Sequence, residues 1–270
     1  MSVDLAGKVA LVTGASSKDG IGWNVAHQLA LQGAKVYIHA RDETKVHNAI
    51  REMELRSPRL KESALLHPFV ADFSNFRSVK ASVEDLVGKE SRLDILVNNA
   101  ALPTTSSAHA MLPPGIQLGS LEDFNQELNH VDERMAGLLR YALMLFLRKG
   151  LSKLANILFA KELQRRLSSQ GIDAISLAVH PGPVATDGSR QFFTSEAEMA
   201  HFGCVSPEEG AKTTLFAATD PLVWTEKEKY AGAYLVPPGV IDEPSDNAKN
   251  EELGRTLWDA SEKVLRELLP

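Results

Sequence analysis

Between Thr13 and Gly22 the chain reads Thr-Gly-Ala-Ser-Ser-Lys-Asp-Gly-Ile-Gly. Glycine there lets a turn close tightly and lets backbone amides approach a phosphate, whose charge the start of a following helix favours. A glycine cluster alone is a weak sign, because turns collect glycine. Its place between an apolar run and a helical pattern makes Gly14, Gly20, Ile21 and Gly22 candidate contacts for the pyrophosphate of a dinucleotide. A second feature follows at Ala40-Arg41-Asp42. A carboxylate at position 40 would accept the ribose hydroxyls of NAD; alanine cannot, and the planar guanidinium of Arg41 can pair with a 2′-phosphate. The expected cofactor is therefore NADP. Lys18 either adds charge to the same phosphate or is a solvated loop lysine.

The elements that must position these residues alternate from the start. Lys8–Thr13 is an apolar run fit for a buried parallel strand, and Ile21, Val25 and Leu29 follow at helical spacing with Gly33 as a stop. Strands are expected at 35–40, 65–71 and 93–97, with helices at 44–55 and 77–87 between them. This order implies right-handed crossovers and a parallel sheet with helices on both faces. The fold class is α/β, a Rossmann-type doubly wound sheet, and residues 1–270 form a single domain because no linker divides them. Residues 100–149 break the rhythm: they hold Pro103, Pro113 and Pro114 and no obvious strand. Order returns with an amphipathic helix at 150–167, a strand at 174–180, a helix at 206–218 opened by Ser206-Pro207, a short strand at 233–236 and a terminal helix at 251–269. Asp72 and Asn99 fall at the carboxyl ends of parallel strands, where open α/β sheets bind ligands.

Taken in order, the glycine loop, Asp72, Asn98-Asn99-Ala100, Ser152-Lys153 and Pro181-Gly182-Pro183-Val184-Ala185-Thr186 resemble the short-chain dehydrogenase/reductase family. The stretch SKLANILFAKEL is similar to its retinol-dehydrogenase-like branch, which has many fungal members. The resemblance covers about four fifths of the chain. It implies that Asp72 holds the adenine ring, that Asn98 and Asn99 line the cofactor groove, and that Val184 and Thr186 contact the nicotinamide carboxamide. Lys153 would hold the nicotinamide ribose and lower the pKa of a tyrosine that exchanges a proton with the substrate oxygen. The reaction implied interconverts an alcohol and a carbonyl on a small, hydrophobic substrate, in secondary metabolism or on a sterol- or retinoid-like compound.

Two departures from the family pattern bear on that chemistry. The tyrosine belongs four residues before the lysine, where this chain has Lys149. The nearest tyrosine, Tyr141, stands twelve residues before Lys153. On one continuous helix that separation is about 18 Å along the axis. Deleting Ala142–Lys149 would join Arg140-Tyr141 to Gly150-Leu151-Ser152-Lys153 and restore the spacing, so these residues read as an insertion, from a splice change or a gene-model artefact. Secondly, Thr104–His109 resembles the serine-bearing end of the family's fifth strand but follows Asn99 almost at once, so a helix and most of a strand are absent. Ser106 is the candidate for holding the substrate oxygen, with Ser107 nearly equivalent. The expected site is thus Ser106, Tyr141 and Lys153 for catalysis. The alternative is an NADP-binding pseudoenzyme or scaffold whose catalysis is impaired.

A net charge of −6 argues against a nucleic-acid surface. A single cysteine, Cys204, leaves no internal disulfide and suits a reducing compartment. The histidines lack the short spacings of a metal site. The amino terminus reads as neither a secretory nor a transit sequence, and the apolar stretches are too short to span a bilayer, which leads to a cytoplasmic expectation. A homodimer is left open, because the missing helix is one that family members often use to dimerise.

Overall fold

The computed structural model describes residues 3–101, 110, 112, 114–120, 122–125 and 137–269; for residues 124, 125 and 137–149 it describes the backbone alone. The described chain forms two compact units, Met1–Pro103 with Pro181–Asp220, and Thr104–His180 with Pro221–Pro270.

The first unit is built on β1 (Val9–Val12), β2 (Lys35–Ala40), β3 (Leu66–Val70) and β4 (Ile95–Val97). All pair in parallel, in the order β3-β2-β1-β4. The period-2 alternation explains why apolar residues occupy both alternating sets of positions in β1 and β2. Ala10, Val12, Val36 and Ile38 enter one buried cluster, while Val9, Leu11 and Tyr37 enter another on the opposite face. Helices α1 (Ile21–Leu31) and α2 (Glu43–Arg56) cover the first face through Trp23, Val25, Leu29, Val46 and Met53. The short α3 (Arg59–Ser63) follows, and α4 (Phe76–Lys89) covers the second face through Leu86. Among the described residues β4 pairs on one side only, and its Leu96 is 53% exposed.

The first α-helix of the second unit is α5 (Gly137–Ser169), which starts well before the Gly150 expected from sequence. In chain order there follow β5 (Ala178–Val179), then α6 (Asp187–Arg190), α7 (Glu196–His201) and α8 (Pro207–Thr219) of the first unit. The second unit resumes with α9 (Pro221–Thr225), α10 (Lys227–Tyr230), β6 (Tyr234–Val236), β7 (Val240–Asp242), α11 (Asp246–Lys249) and α12 (Glu251–Leu268). Its sheet runs β5-β6-β7, parallel then antiparallel. Leu151, Leu154 and Leu158 of α5 pack with Leu253 and Leu257 of α12. The seven-residue strand expected at 174–180 is reduced to Ala178–Val179, and β7 was not anticipated. The described strands form two sheets, β1 to β4 in the first unit and β5 to β7 in the second.

A buried histidine is expected to make the protein lose stability in acid. His27 is 3% exposed, stacks on Trp23 with centroids 5.0 Å apart, and lies 3.0 Å from the Ser57 hydroxyl. Burial, aided by the Arg56 guanidinium, pushes its pKa down to about 4. The unfolded chain takes up a proton near 6.5, the ordinary histidine value, while the folded chain does not. Stability is thus fully present above that value and falls as pH drops toward 4. Urea midpoints at about pH 7.5 and about pH 4.5 should show a loss that His27→Gln reduces by roughly 2–3 kcal/mol. An identical loss in both proteins would contradict this assignment.

Candidate dinucleotide site

Several sequence-derived cofactor candidates converge at the carboxyl ends of β1, β2 and β4. Gly14 takes a left-handed φ of +64°, and a Cβ there would lie 2.8 Å from the Ala100 Cα. Any side chain is therefore excluded twice, by conformation and by contact. A Cβ on Gly22 would overlap the Asn99 amide nitrogen and sit 2.8 Å from the Gly14 carbonyl oxygen. Gly20 opens α1 as its N-cap in extended conformation, and no side chain caps that end. By contrast, Asp42, Asn75, Ser206 and Asn250 cap α2, α4, α8 and α12. The first turn of α1 also carries no acidic residue. A helix start free of side-chain acceptors and reached over glycines fits a pyrophosphate.

Asn99 is committed to holding this loop. Its amide nitrogen donates to the Thr13 carbonyl at 2.8 Å and to the Gly14 carbonyl at 3.1 Å. The Ala100 amide donates to the Thr13 hydroxyl at 2.9 Å. Asn98 beside it is exposed. Thus the two asparagines differ: one locks the glycine turn and the other faces outward.

Arg41 is exposed directly after β2 and makes no ion pair among the described residues. Its charge, together with the Ser74 amide and hydroxyl, holds the Asp72 carboxyl below the usual carboxylate range; the Ser74 hydrogen bonds are the larger cause. Those bonds, at 2.9 and 2.8 Å, both go to Oδ1 of Asp72. Oδ2 receives neither of these bonds. Two opposite charges thus stand at neighbouring strand exits, Arg41 after β2 and Asp72 after β3.

Val184 and Thr186 belong to the same unit. Val184 is buried, bridges Val205 and fills the space over Gly210, where a Cβ would come within 2.5 Å of it. Thr186 caps the short α6 in a reciprocal box with Ser189. Asp187 accepts a hydrogen bond from Ser17 of the glycine loop. Ser17 and Asp187 were not anticipated from sequence, and no spacing signal links positions so far apart.

Lys153 lies in the second unit, on α5, half-buried, and burial pushes its ammonium below the usual lysine range. Its charge and, more strongly, burial lower the pKa of His180. Tyr141 is on the backbone of the same helix, but its side chain lies outside the described residues, as does Ser106 entirely. Along a continuous helix, twelve residues set two positions about 18 Å apart and about 120° around the axis. No group of three metal-ligating side chains occurs among the described residues.

Comparison with known proteins fits this layout. The profile of the short chain dehydrogenase family matches residues 8–117. A short chain dehydrogenase/reductase of Gibberella zeae is 34% identical over 97% of this chain and 83% of its own length. The chain belongs to the short-chain dehydrogenase/reductase family. Another member, from Armillaria gallica, is 32% identical over 98% of this chain and 95% of its own. The alignment with the Gibberella protein runs over 294 positions, more than the 270 residues present here, so the relative carries residues that this short-chain dehydrogenase/reductase lacks. Among solved structures, L-sorbose reductase from Gluconobacter frateurii, crystallised with NADPH and L-sorbose, shares the fold. It matches with a TM-score of 0.59 and 18% identity over 88% of this chain and 98% of that one. No described helix is long and apolar enough to cross a membrane.

Proposed function

We propose that this short-chain dehydrogenase/reductase binds NADP(H) through its first unit, in the cytoplasm, and that its reaction class is the interconversion of an alcohol and a carbonyl on a small hydrophobic substrate. The observation that carries the cofactor reading is the uncapped start of α1 behind Gly14 and Gly22, with the cationic Arg41 at the exit of β2. The NADPH bound in the sorbose reductase structure supports the same choice of dinucleotide. The reading treats residues 1–270 as one functional domain. It places the chain in the retinol-dehydrogenase-like branch on the strength of SKLANILFAKEL, with fungal secondary metabolism as its setting. Asp72 is assigned to the adenine, Asn98 and Asn99 to the groove, and Val184 and Thr186 to the carboxamide.

When bound, the nicotinamide would supply or accept the hydride. In the catalytic reading Ser106 holds the substrate oxygen, Tyr141 exchanges its proton and Lys153 lowers the tyrosine pKa. The continuous course of α5 favours a second reading: the chain binds its cofactor but turns over poorly, because Tyr141 and Lys153 stand more than three turns apart. One set of assays separates the two. If Tyr141 works with Lys153 in the chain as it stands, the wild type reduces a panel of apolar ketones and Tyr141→Phe abolishes the activity. If the helix separates them, the wild type binds NADPH without turnover. Deleting Ala142–Lys149 would then bring the pair to one helical turn, about 6 Å of rise, and is expected to produce activity. Wild-type turnover that survives Tyr141→Phe contradicts the assignment of Tyr141.

A further inference from the structure

The glycine loop is held from a second direction by a residue that the cofactor reading does not use. His39, the fifth residue of β2, is 3% exposed. Its Nδ1 receives the Gly14 amide at 2.9 Å, and its Nε2 lies 2.9 Å from the Ala71 carbonyl oxygen. A backbone N–H can only donate and a carbonyl can only accept. Nδ1 must therefore be bare and Nε2 must carry the proton, which fixes one neutral tautomer. The Ala15 amide also donates to the His39 carbonyl, at 3.1 Å. Phe73, directly after Asp72, lies flat on the imidazole with centroids 4.2 Å apart and planes 11° from parallel.

Both polar atoms of Gly14 are thereby occupied: its N–H by His39 and its carbonyl by Asn99. This matters because Gly14 is the left-handed residue at which the chain turns from β1 toward α1. The imidazole joins that turn to the exit of β3, where Ala71 is followed by Asp72 and Phe73. Resting on the cofactor reading above, we propose that His39 is a positioning residue for the dinucleotide: as a hydrogen-bond acceptor for Gly14, it sets the loop in the conformation that receives the pyrophosphate. Burial keeps the ring in the neutral form this role requires, against the opposing pull of the Ala71 carbonyl.

Two substitutions divide the ring's functions. In His39→Asn the side-chain oxygen falls where Nδ1 was and can still accept from Gly14. In His39→Gln the amide reaches the former Nε2 position and can still donate to Ala71, but no acceptor remains for Gly14. Fluorescence titration of full-length protein with NADPH should give a Kd within about threefold of wild type for His39→Asn, and about tenfold weaker for His39→Gln. Thermal unfolding of the same samples without cofactor reports whether each variant folds. Nitrogen-15 NMR of wild type should show His39 as the Nε2–H tautomer, a reading that does not depend on any variant. Equal weakening by both substitutions would mean that the ring acts by packing alone and would overturn the proposal, as would an Nδ1–H tautomer. A wild-type protein that binds no NADPH would overturn the cofactor reading and this proposal with it. Normal wild-type binding with both variants unimpaired would overturn this proposal alone.

Discussion

Gly22→Ala is expected to weaken NADPH binding by about a hundredfold and to lower the thermal midpoint. The added methyl has nowhere to go: its position is already taken by the Asn99 amide nitrogen, with the Gly14 carbonyl 2.8 Å away. Asn99 cannot swing aside freely, because that nitrogen holds the Thr13 and Gly14 carbonyls. Overpacking of this kind costs about 1–3 kcal/mol. Here the strain falls on the turn whose amides are assigned to the pyrophosphate, so binding should suffer more than the fold. Calorimetric titration with NADPH, alongside far-ultraviolet circular dichroism, checks both. A folded alanine variant that binds within threefold of wild type would show that the loop does not grip the cofactor.

The second large effect concerns which dinucleotide is preferred. Arg41→Ala should weaken NADPH by about ten- to a hundredfold, the range of one charge-assisted pair with a phosphate, and leave NADH within about twofold. Arg41 is exposed and has no ion pair among the described residues, so its removal breaks no internal contact of that kind. Because screening acts on exposed charge, the wild-type preference for NADPH should also shrink as salt is raised. An equal loss for both dinucleotides would mean that Arg41 does not discriminate between them.

Much of the first unit could be read from sequence because each of its signals is local. The runs around Val9, Val36 and Ile95 are short and apolar, as strands of a parallel sheet tend to be, and they pair in parallel as expected. The glycine turn lies between a strand and a helix, and Arg41 and Asp72 follow β2 and β3 directly. What was not legible depends on distant partners. His39 sits inside an apolar strand, and nothing in KVYIHA shows that Gly14 and Ala71 will meet its two nitrogens. The same applies to Ser17 and Asp187, which are joined only in the folded unit. Resemblance assigns Asn99 to the groove, but that its amide nitrogen also holds two loop carbonyls is visible only in the folded unit.

In the second unit the pattern misled at element ends. The strand expected at 174–180 keeps only Ala178 and Val179 paired, and among the described residues it has a neighbour on one side alone. An apolar run gives strand propensity, but pairing length depends on the partner. Strand β7 is only Val240–Asp242, directly after the turn formed by Pro237, Pro238 and Gly239. Helix α5 begins at Gly137, inside the 100–149 segment whose sequence breaks the alternation of strands and helices. That early start carries the most weight for function, because it puts Tyr141 and Lys153 on one helix at a spacing unsuited to shared proton transfer.

Isothermal calorimetry of the folded wild-type chain with NADPH and, separately, NADH tests the central claim most directly. The arrangement of Gly14, Gly22 and Arg41 predicts saturable heat with both and a markedly lower Kd for NADPH. No heat with either dinucleotide would contradict the site; tighter binding of NADH would contradict the role given to Arg41.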